Sequence, residues 1–455
     1  VVVGTGVRLH PLPQGPQTAY AAAGEKSVSK NVPMMDLFTV PDPEHLVATV
    51  GLNPLPVALA ILTLRPRSVQ LVCTQASLEE AGRIATVIGA IADESDWAAT
   101  VFAPPIIVSA DDLADAAATL EPYFASLTTP FRLDYSGGTK VMTVAAVTAH
   151  MQCHAGDTER GGCWRTVVDD TSGTVIDGSN AARRQDTVST GLTIARIAEL
   201  HGYTLTGTPL TTDGVAGLEK PIVDIFTGLG EVDNRSNGDL AHSLNPAELL
   251  APFAVEVGKS ARRIGIKPDE TRLSKVSDLR GQWRELLTAH LLLHLLAEDR
   301  EARDAVSEVL FDANLRPNEF PAADRKDAQF DLIVRSGHRV LALEVKSNAR
   351  DAVEFLSERL IPSRWPFGSA VTSVVASAAG VFAGKGKEVT WAEANDTKEA
   401  LTRDLPALRD KVAVWLIERP HAGQDEVTSG FRSWLVPHTD ANTPQMSAPP
   451  APRLS

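Results

Sequence analysis

The sequence predicts an α/β protein: an open, mostly parallel sheet in the first half and an α+β unit in the last third. Three observations predict it. Short apolar runs alternate with helix-length periodic segments from residue 45 to residue 154. A strand–turn–helix junction, F-R-L-D-Y-S-G-G-T-K, stands at 131–140. Two β-like runs flank a Ser-Gly-His turn at 336–338.

Taken in order, His45–Val50 is a strand that ends at G-L-N-P, and Leu55–Leu64 is a helix. Residues 68–74 form a strand and 78–92 a helix. Residues 100–109 hold a strand interrupted by Pro104 and Pro105, neither of which can donate to a ladder. Residues 111–127 form a helix whose first turn carries acidic residues, favourable at the positive end of the dipole. Residues 131–135 make a strand, 136–140 a glycine turn, and 141–153 a helix. Residues 164–176 read as a hairpin turning at Thr171-Ser172-Gly173.

Residues 192–200 and 246–260 have helical periodicity inside an otherwise helical or winged connector. Residues 279–300 form a long helix, followed by strands at 330–335 and 339–346, a helix at 351–360, and strands near 371–375 and 411–418. The domain organisation expected is a flexible leader (1–40), a first domain (41–205), a connector (206–275), a second domain (276–437) and a disordered Pro/Ser/Ala-rich tail (438–455).

Composition narrows the function classes. The chain has 455 residues, 44% of them hydrophobic, which excludes wholesale disorder. Its formal net charge of -14 disfavours non-specific binding of polyanions, so nucleic-acid contact needs a local basic patch. The three cysteines, Cys73, Cys153 and Cys163, form no C-x-x-C pair, which excludes a disulfide framework and fits a reducing, cytoplasmic setting. Cys153 and Cys163 lie near His150 and His154 at a spacing that fits no common zinc module. No apolar run reaches the about 18 residues of a membrane span, and no secretory signal is expected at the start.

The first constellation is the S-G-G-T-K turn. Gly137 and Gly138 allow a tight turn and close approach of a ligand, Thr139 offers a hydroxyl, and Lys140 adds positive charge where helical N–H groups already favour an anion. Ligands of open α/β sheets bind beyond the carboxyl ends of strands. The G-L-N-P turn (51–54) and T-Q-A-S (74–77) share that edge. The alternative is an ordinary βα turn. G-x-G-x-x-G is absent from strand-to-helix junctions, and G-V-F-A-G-K at 380–385 is one residue short of a P-loop, which disfavours dinucleotide redox chemistry and ATP hydrolysis.

The second constellation is Q-F-D-L-I-V-R-S-G-H-R-V-L-A-L-E-V-K. Glu344 and Lys346 are two apart on a strand and share a face. A two-residue loop puts Asp331 on that face as well: directly across from Glu344 if the loop is Gly337-His338, diagonal if it is Ser336-Gly337. A three-residue loop would break the parity. Two carboxylates this close call for a cation, and oxygen ligands suit Mg²⁺ or Mn²⁺. A neighbouring lysine can orient water or stabilise a phosphorane-like charge. Glu285, early in the helix at 279–300, can face the same site or satisfy the helix dipole. His290 and His294 lack the glutamate of H-E-x-x-H and read as packing or surface histidines. Between Lys259 and Arg284, eight basic residues oppose three acidic ones, either a phosphodiester-binding patch or a solvated connector.

Together these segments resemble a nuclease of the CRISPR-associated Rossmann fold (CARF) family: a CARF sensor joined to a PD-(D/E)xK endonuclease-like domain. The resemblance rests on G-L-N-P-L-P (51–56), L-V-C-T (71–74), D-Y-S-G-G-T-K-V-M (134–142), H-G-Y (201–203), G-Q-W-R-E (281–285) and F-D-L-I-V…L-E-V-K (330–346), and covers residues 45–350. It implies a homodimer whose paired sensor domains bind a cyclic oligoadenylate, commonly cyclic tetra-adenylate. Asn53, Thr74, Ser136, Gly137, Gly138, Thr139 and Lys140 would contact that activator. Asp331, Glu344 and Lys346, assisted by Glu285, would form the nuclease centre with Mn²⁺ or Mg²⁺, the acidic residues holding the metal, on a single-stranded DNA or RNA substrate. Gln329 stands where the family pattern has a glutamate, and Arg284 where it has a leucine. Two other classes are carried alongside: a nucleotide-sensing regulator that binds nucleic acid without cutting it, and an unregulated restriction-type nuclease.

Overall fold

The computed structural model describes residues 44–95, 97, 100–129, 131–154, 164–169, 173–177, 183–184, 191–210, 276–318, 328–346, 349–360, 364–378, 391–417 and 426–436. The expected leader and tail, the helix at 246–260, the P-loop look-alike and most of the basic run lie outside these residues. Of 276–284 only the helical backbone is described.

The first sheet is mixed and mostly parallel. Its strands are β1 (His45–Val50), β2 (Ser68–Cys73), β3 (Val101–Phe102), β4 (Ile106–Ile107), β5 (Phe131–Asp134), β6 (Trp164–Asp169), β7 (Thr174–Asp177) and β8 (Arg183–Arg184). They run in the order β3-β2-β1-β5-β6-β7-β8, with β4 beside β2. The two prolines split the run at 100–109 into β3 and β4, as their missing N–H groups require. β6, β7 and β8 pair antiparallel at the edge, so the hairpin expected at 164–176 forms.

Helices α1 (Leu55–Leu64), α2 (Leu78–Glu94), α3 (Leu113–Ser126), α4 (Lys140–His154) and α5 (Ile194–Leu200) follow strands or close the unit. Two of the starts are capped by side chains. The Asp112 carboxylate accepts from the N–H groups of Ala114 and Asp115, capping α3. Thr193 caps α5 at the N–H of Arg196. α1 is apolar on all sides and buried throughout, which marks an interior layer rather than a surface helix.

The second sheet has the order β14-β13-β12-β11-β10-β9. Its strands are β9 (Tyr203–Pro209), β10 (Glu308–Pro317), β11 (Ala328–Ser336), β12 (Arg339–Val345), β13 (Val371–Ala378) and β14 (Val412–Ile417). The expectation that residues 190–280, outside the helices at 192–200 and 246–260, make a helical or winged connector is corrected at its start: Tyr203–Pro209 is a strand of the second sheet. The remaining described helices are α6 (Val276–Glu298), α7 (Arg300–Ala305), α8 (Ala349–Glu354, continued by a π-turn at Phe355–Arg359), α9 (Trp391–Asp404) and α10 (Glu426–Leu435).

The layers share cores. α3 and α4 cover one face of the first sheet through Leu120, Phe124, Ala145 and Ala149. On its other face, α1, α2 and α5 form a layer whose core continues into the second sheet through Leu310, Leu315, Ile333, Ala342 and Phe367. The second sheet's far face is covered by α6 and α10 through Leu292, Leu296, Val427 and Phe431. α8 and α9 cover its β13–β14 end through Ala352, Phe355, Val375 and Val414. The two sheets are therefore joined by a buried apolar layer, not by a tether. Glu308 reinforces the joint: its carboxylate accepts from the N–H of Ile194 at the start of α5 (2.8 Å) and pairs with Arg335 of β11 (3.2 Å).

Candidate functional sites

The first site forms where β1 and β5 run side by side and parallel, bringing the 51–54 and 136–140 turns to one edge. The turns meet backbone to backbone. A methyl group at Gly51 would come 2.8 Å from the Gly138 nitrogen, and one at Gly137 would strike the Thr49 carbonyl oxygen. Gly138 also has φ of +90°, a conformation that costs an L-residue strain. Thr49 Oγ1 locks the turn by donating to the Gly137 carbonyl at 2.6 Å. Thr139 caps α4, its Oγ1 accepting from the N–H of Met142 at 3.2 Å.

The structure divides the seven predicted contacts. Thr139 and Lys140 are exposed, and Asn53 and Gly138 half-buried, so these four line the open edge. Asn53 Oδ1 accepts from the Leu55 N–H at 3.3 Å. Gly137 is buried. Thr74 is buried as well and its hydroxyl is paired with Ser77 Oγ at 3.2 Å. Ser136 Oγ donates to Asp134 at 2.9 Å and accepts from the Val168 N–H at 2.6 Å, fastening the turn to β6.

Asp134 was not among the predicted residues, although R-L-D inside an apolar strand is an unusual signal. It is fully buried and accepts from the Ser136 N–H, Ser136 Oγ and Thr166 Oγ1. Burial pushes its pKa up to about 6, against the pull of those donors and of Arg132. The sign follows. Between the ordinary carboxylate range and pH 6 the native state holds a proton that the unfolded chain has released, so this group's contribution to stability falls as pH rises through that window and is flat above it. The change is on the order of 3 kcal/mol. Urea denaturation of wild type and Asp134→Asn at pH 4 and pH 7 reads it: wild type should lose stability relative to the variant on going to pH 7. An unchanged difference would sink the assignment.

The second site sits on the β11–β12 hairpin. The loop has two residues, Gly337-His338, between the paired residues Ser336 and Arg339. Gly337 has φ of +60°, as the first central position of such a loop demands. The register Leu332↔Leu343 and Ile333↔Ala342 continues to Asp331 opposite Glu344, so direct opposition is realised and the diagonal alternative is not.

Glu344 and Lys346 follow Ala342 on the face that packs toward the α1–α5 layer, while Glu344 neighbours Val375 of β13 in the α8–α9 core. The pair thus stands at the seam between two apolar covers. Lys346 Nζ donates to Glu344 Oε2 at 2.7 Å and lies 5.5 Å from the centre of the Phe355 ring, which the π-turn presents. Asp331 Oδ2 accepts from the Val345 N–H at 2.6 Å.

Electrostatics tie these groups to Glu285 on α6. Burial raises the Asp331 pKa well above the carboxylate range, the charges of Glu344 and Glu285 raise it further, and the Val345 N–H and Lys346 pull the other way. For Lys346, burial favours the neutral amine, but the Glu344 carboxylate outweighs it and the net direction is upward. Asp331, Glu344 and Lys346 are therefore brought together, with Glu285 within electrostatic reach. Among the described residues no group of three or more His, Cys, Asp or Glu side chains is placed to hold a metal ion. His290 is buried and its pKa is lowered to about 4 by burial and by His294, consistent with a packing histidine.

The arrangement defines a two-sheet α/β protein with a tight glycine turn at the edge of one sheet and an acidic–basic row on the other. Its likeness to solved structures fits that class. It matches Can2 from Sulfobacillus thermosulfidooxidans in complex with cyclic tetra-adenylate at 13% identity and a TM-score of 0.54, covering 87% of this chain and 97% of that one. It matches protein VC1899 from Vibrio cholerae at 13% identity and a TM-score of 0.56, covering 86% and 97%. A type III CRISPR defence DNA nuclease activated by cyclic oligoadenylate aligns at 16% identity and a TM-score of 0.46, over 45% of its length. The likeness to the first two, at TM-scores above 0.5 and 13% identity, establishes the fold alone. No family model and no curated protein matches the sequence. No helix among the described residues is long and apolar enough to cross a membrane.

Proposed function

We propose that this chain is a metal-dependent nuclease of CRISPR defence whose activity is switched on by a cyclic oligoadenylate. The observation that carries the reading is the row Asp331–Glu344–Lys346, set in direct register on one sheet face at the seam of two cores. The fold shared with Can2, which binds cyclic tetra-adenylate, supports the choice of activator. The glycine turn with Thr139 and Lys140 at the strand ends supports an anionic ligand there.

The donor set fits Mg²⁺ or Mn²⁺. Asp331, driven toward its neutral form by burial and by the charges of Glu344 and Glu285, stands in an environment a divalent cation relieves, and Mg²⁺ needs only one or two protein carboxylates beside water and phosphate oxygens. Asp331 and Glu344 would hold the ion, with Glu285 beside them. When bound, it would neutralise phosphodiester charge and make a coordinated water a better nucleophile. Glu344 fixes the Lys346 ammonium in place, and that ammonium stabilises negative charge on the phosphate as it is attacked. The Phe355 ring and the apolar cores on both sides restrict water and strengthen these charges.

A homodimer is part of the proposal. Leu52 is 73% exposed at the ligand edge, and Val144 (48%) and Met151 (52%) lie seven residues apart on one face of α4. A second copy seated there would place two ligand turns at one cleft. The second reading is a sensor that binds nucleic acid without cutting it. It is favoured by the engagement of Asp331 with the Val345 N–H and by the lack of a ready metal cage among the described residues.

Labelled single-stranded DNA and RNA, incubated with Mn²⁺ and with or without cyclic tetra-adenylate, decide between them. The expected result is cleavage that depends on both additions. Ligand binding without cleavage selects the regulator. Cleavage indifferent to the ligand selects an unregulated nuclease.

A further inference from the structure

Resting on the reading above, we propose that Gly368 is a positioning residue through which a ligand at Asn53 is transmitted to the acidic row of the second sheet. The short segment Trp365–Ala370 runs between the two sites. Gly368 has φ of +55° and ψ of -130°, so the segment breaks its helical course there. A methyl group in its place would come 3.1 Å from Asn53 Oδ1 and 2.8 Å from His201 Nε2. The sensor's G-L-N-P turn and the C-terminal cap of α5 thus close directly on this backbone.

From Gly368 two short connections reach the carboxylates. Phe367 is fully buried and its ring centre lies 6.0 Å from that of Phe330, the residue before Asp331. On the other side the segment opens into β13, which pairs with β12 at Glu344↔Val375, and the Lys346 N–H donates to the Ala376 carbonyl at 2.8 Å. The guanidinium of Arg364 clamps the entry to β13, donating to the Val371 carbonyl (2.7 Å), Ser373 Oγ (3.2 Å) and the Lys411 carbonyl (2.9 Å). The segment is therefore held at its start, in contact with the sensor at Gly368, and rigidly joined to the strands carrying Asp331, Glu344 and Lys346. A displacement of Asn53 on ligand binding has no soft element in which to be absorbed before it reaches them. Packed elements respond as units rather than by local compression.

The test uses the full chain and two variants, Gly368→Ala and Phe367→Leu, the second keeping an apolar side chain should the first fail to fold. Three quantities are read: cyclic tetra-adenylate binding by thermal shift, the ratio of cleavage with and without that ligand in Mn²⁺, and ligand-induced change in amide exchange over residues 371–376. Expected are retained binding, a basal rate near that of wild type, an activation ratio lower by about tenfold or more, and loss of the ligand-induced exchange change. An unaltered activation ratio in both variants, or no exchange response of wild-type β13 to bound ligand, overturns the proposal. If wild type binds ligand and β13 responds but nothing is cut, the nuclease reading fails while this link stands. If wild type binds no ligand, both fall. If neither variant folds, the wild-type exchange response alone decides.

Discussion

Glu344→Ala should lower ligand-activated cleavage by about a thousandfold while leaving cyclic tetra-adenylate binding unchanged. Glu344 faces Asp331 across the hairpin and holds Lys346 at 2.7 Å, so one substitution removes a metal-ligand candidate and releases the ammonium from its position. The lysine would then lose both its fixed geometry and the carboxylate that favours its charged form, and an electrostatic contribution to catalysis depends on orientation set before reaction. Glu344 belongs to the second sheet and the glycine turn to the first, so binding measured by calorimetry acts as the internal control. Lys346→Ala should behave alike if the pair works as a unit, with the double variant no worse than either single one. A Glu344→Ala protein that cuts at the wild-type rate with Mn²⁺ and ligand would remove the catalytic assignment altogether.

Gly137→Ala should abolish ligand response and lower Tm by several degrees, for a reason rooted in the backbone. The added methyl would meet the Thr49 carbonyl oxygen, with Val57 Cγ2 at 3.0 Å and the Gly51 nitrogen at 3.3 Å, and two of these three neighbours are main chain of a central strand and its turn. Such overpacking costs about 1–3 kcal/mol, because neither strand can withdraw without losing ladder hydrogen bonds. The Thr49 Oγ1–Gly137 carbonyl bond would break with it. Because the 51–54 and 136–140 turns abut, Asn53, Thr139 and Lys140 would be displaced together. Calorimetric titration with cyclic tetra-adenylate and a thermal melt read both effects. An unshifted Tm with normal affinity would show that the turn is looser than its close contacts indicate.

Much of this was legible in the sequence where local rules dominate. The His45–Val50 strand and Leu55–Leu64 helix form with the expected bounds, because an apolar run closed by G-L-N-P leaves few alternatives. The facing of Asp331 and Glu344 followed from the parity of a two-residue loop, which glycine at positive φ makes possible. β9 and β10 were not legible. β9 is a largely exposed Thr- and Gly-containing strand without a strong apolar face, and β10, although Phe311, Ala313 and Leu315 alternate with polar residues, takes its place through a pairing with β9 that shifts register between Phe311 and Asn314, with Asp312 at φ of +48°. Val309 and Phe311 join the core under α6 and α10, whereas Ala313 and Leu315 join the layer shared with the first sheet, so the strand changes face across Asp312, which an unbroken alternation does not show.

The site shows the same division. The glycines and Thr139 marked the tight turn and the start of α4, yet Thr74 and Ser136 spend their hydroxyls within the fold, and the part Asp134 plays in fastening the turn is not legible because burial is not written in a tetrapeptide. Gly368 and His201 are 167 residues apart and His201 and Asn53 a further 148 (368 − 201 and 201 − 53), so no periodicity could bring the three together.

By itself, then, the sequence determined the strands, the turn chemistry and which side chains share a strand face, because these depend on neighbours within a few residues and on the fixed two-residue period of a β-strand. Only the tertiary structure decided which faces are covered, that one apolar layer joins both sheets, and that a glycine in the second sheet's approach lies against an asparagine of the first. Those outcomes come from packing between distant segments, where close contact of atoms rather than local propensity selects the arrangement.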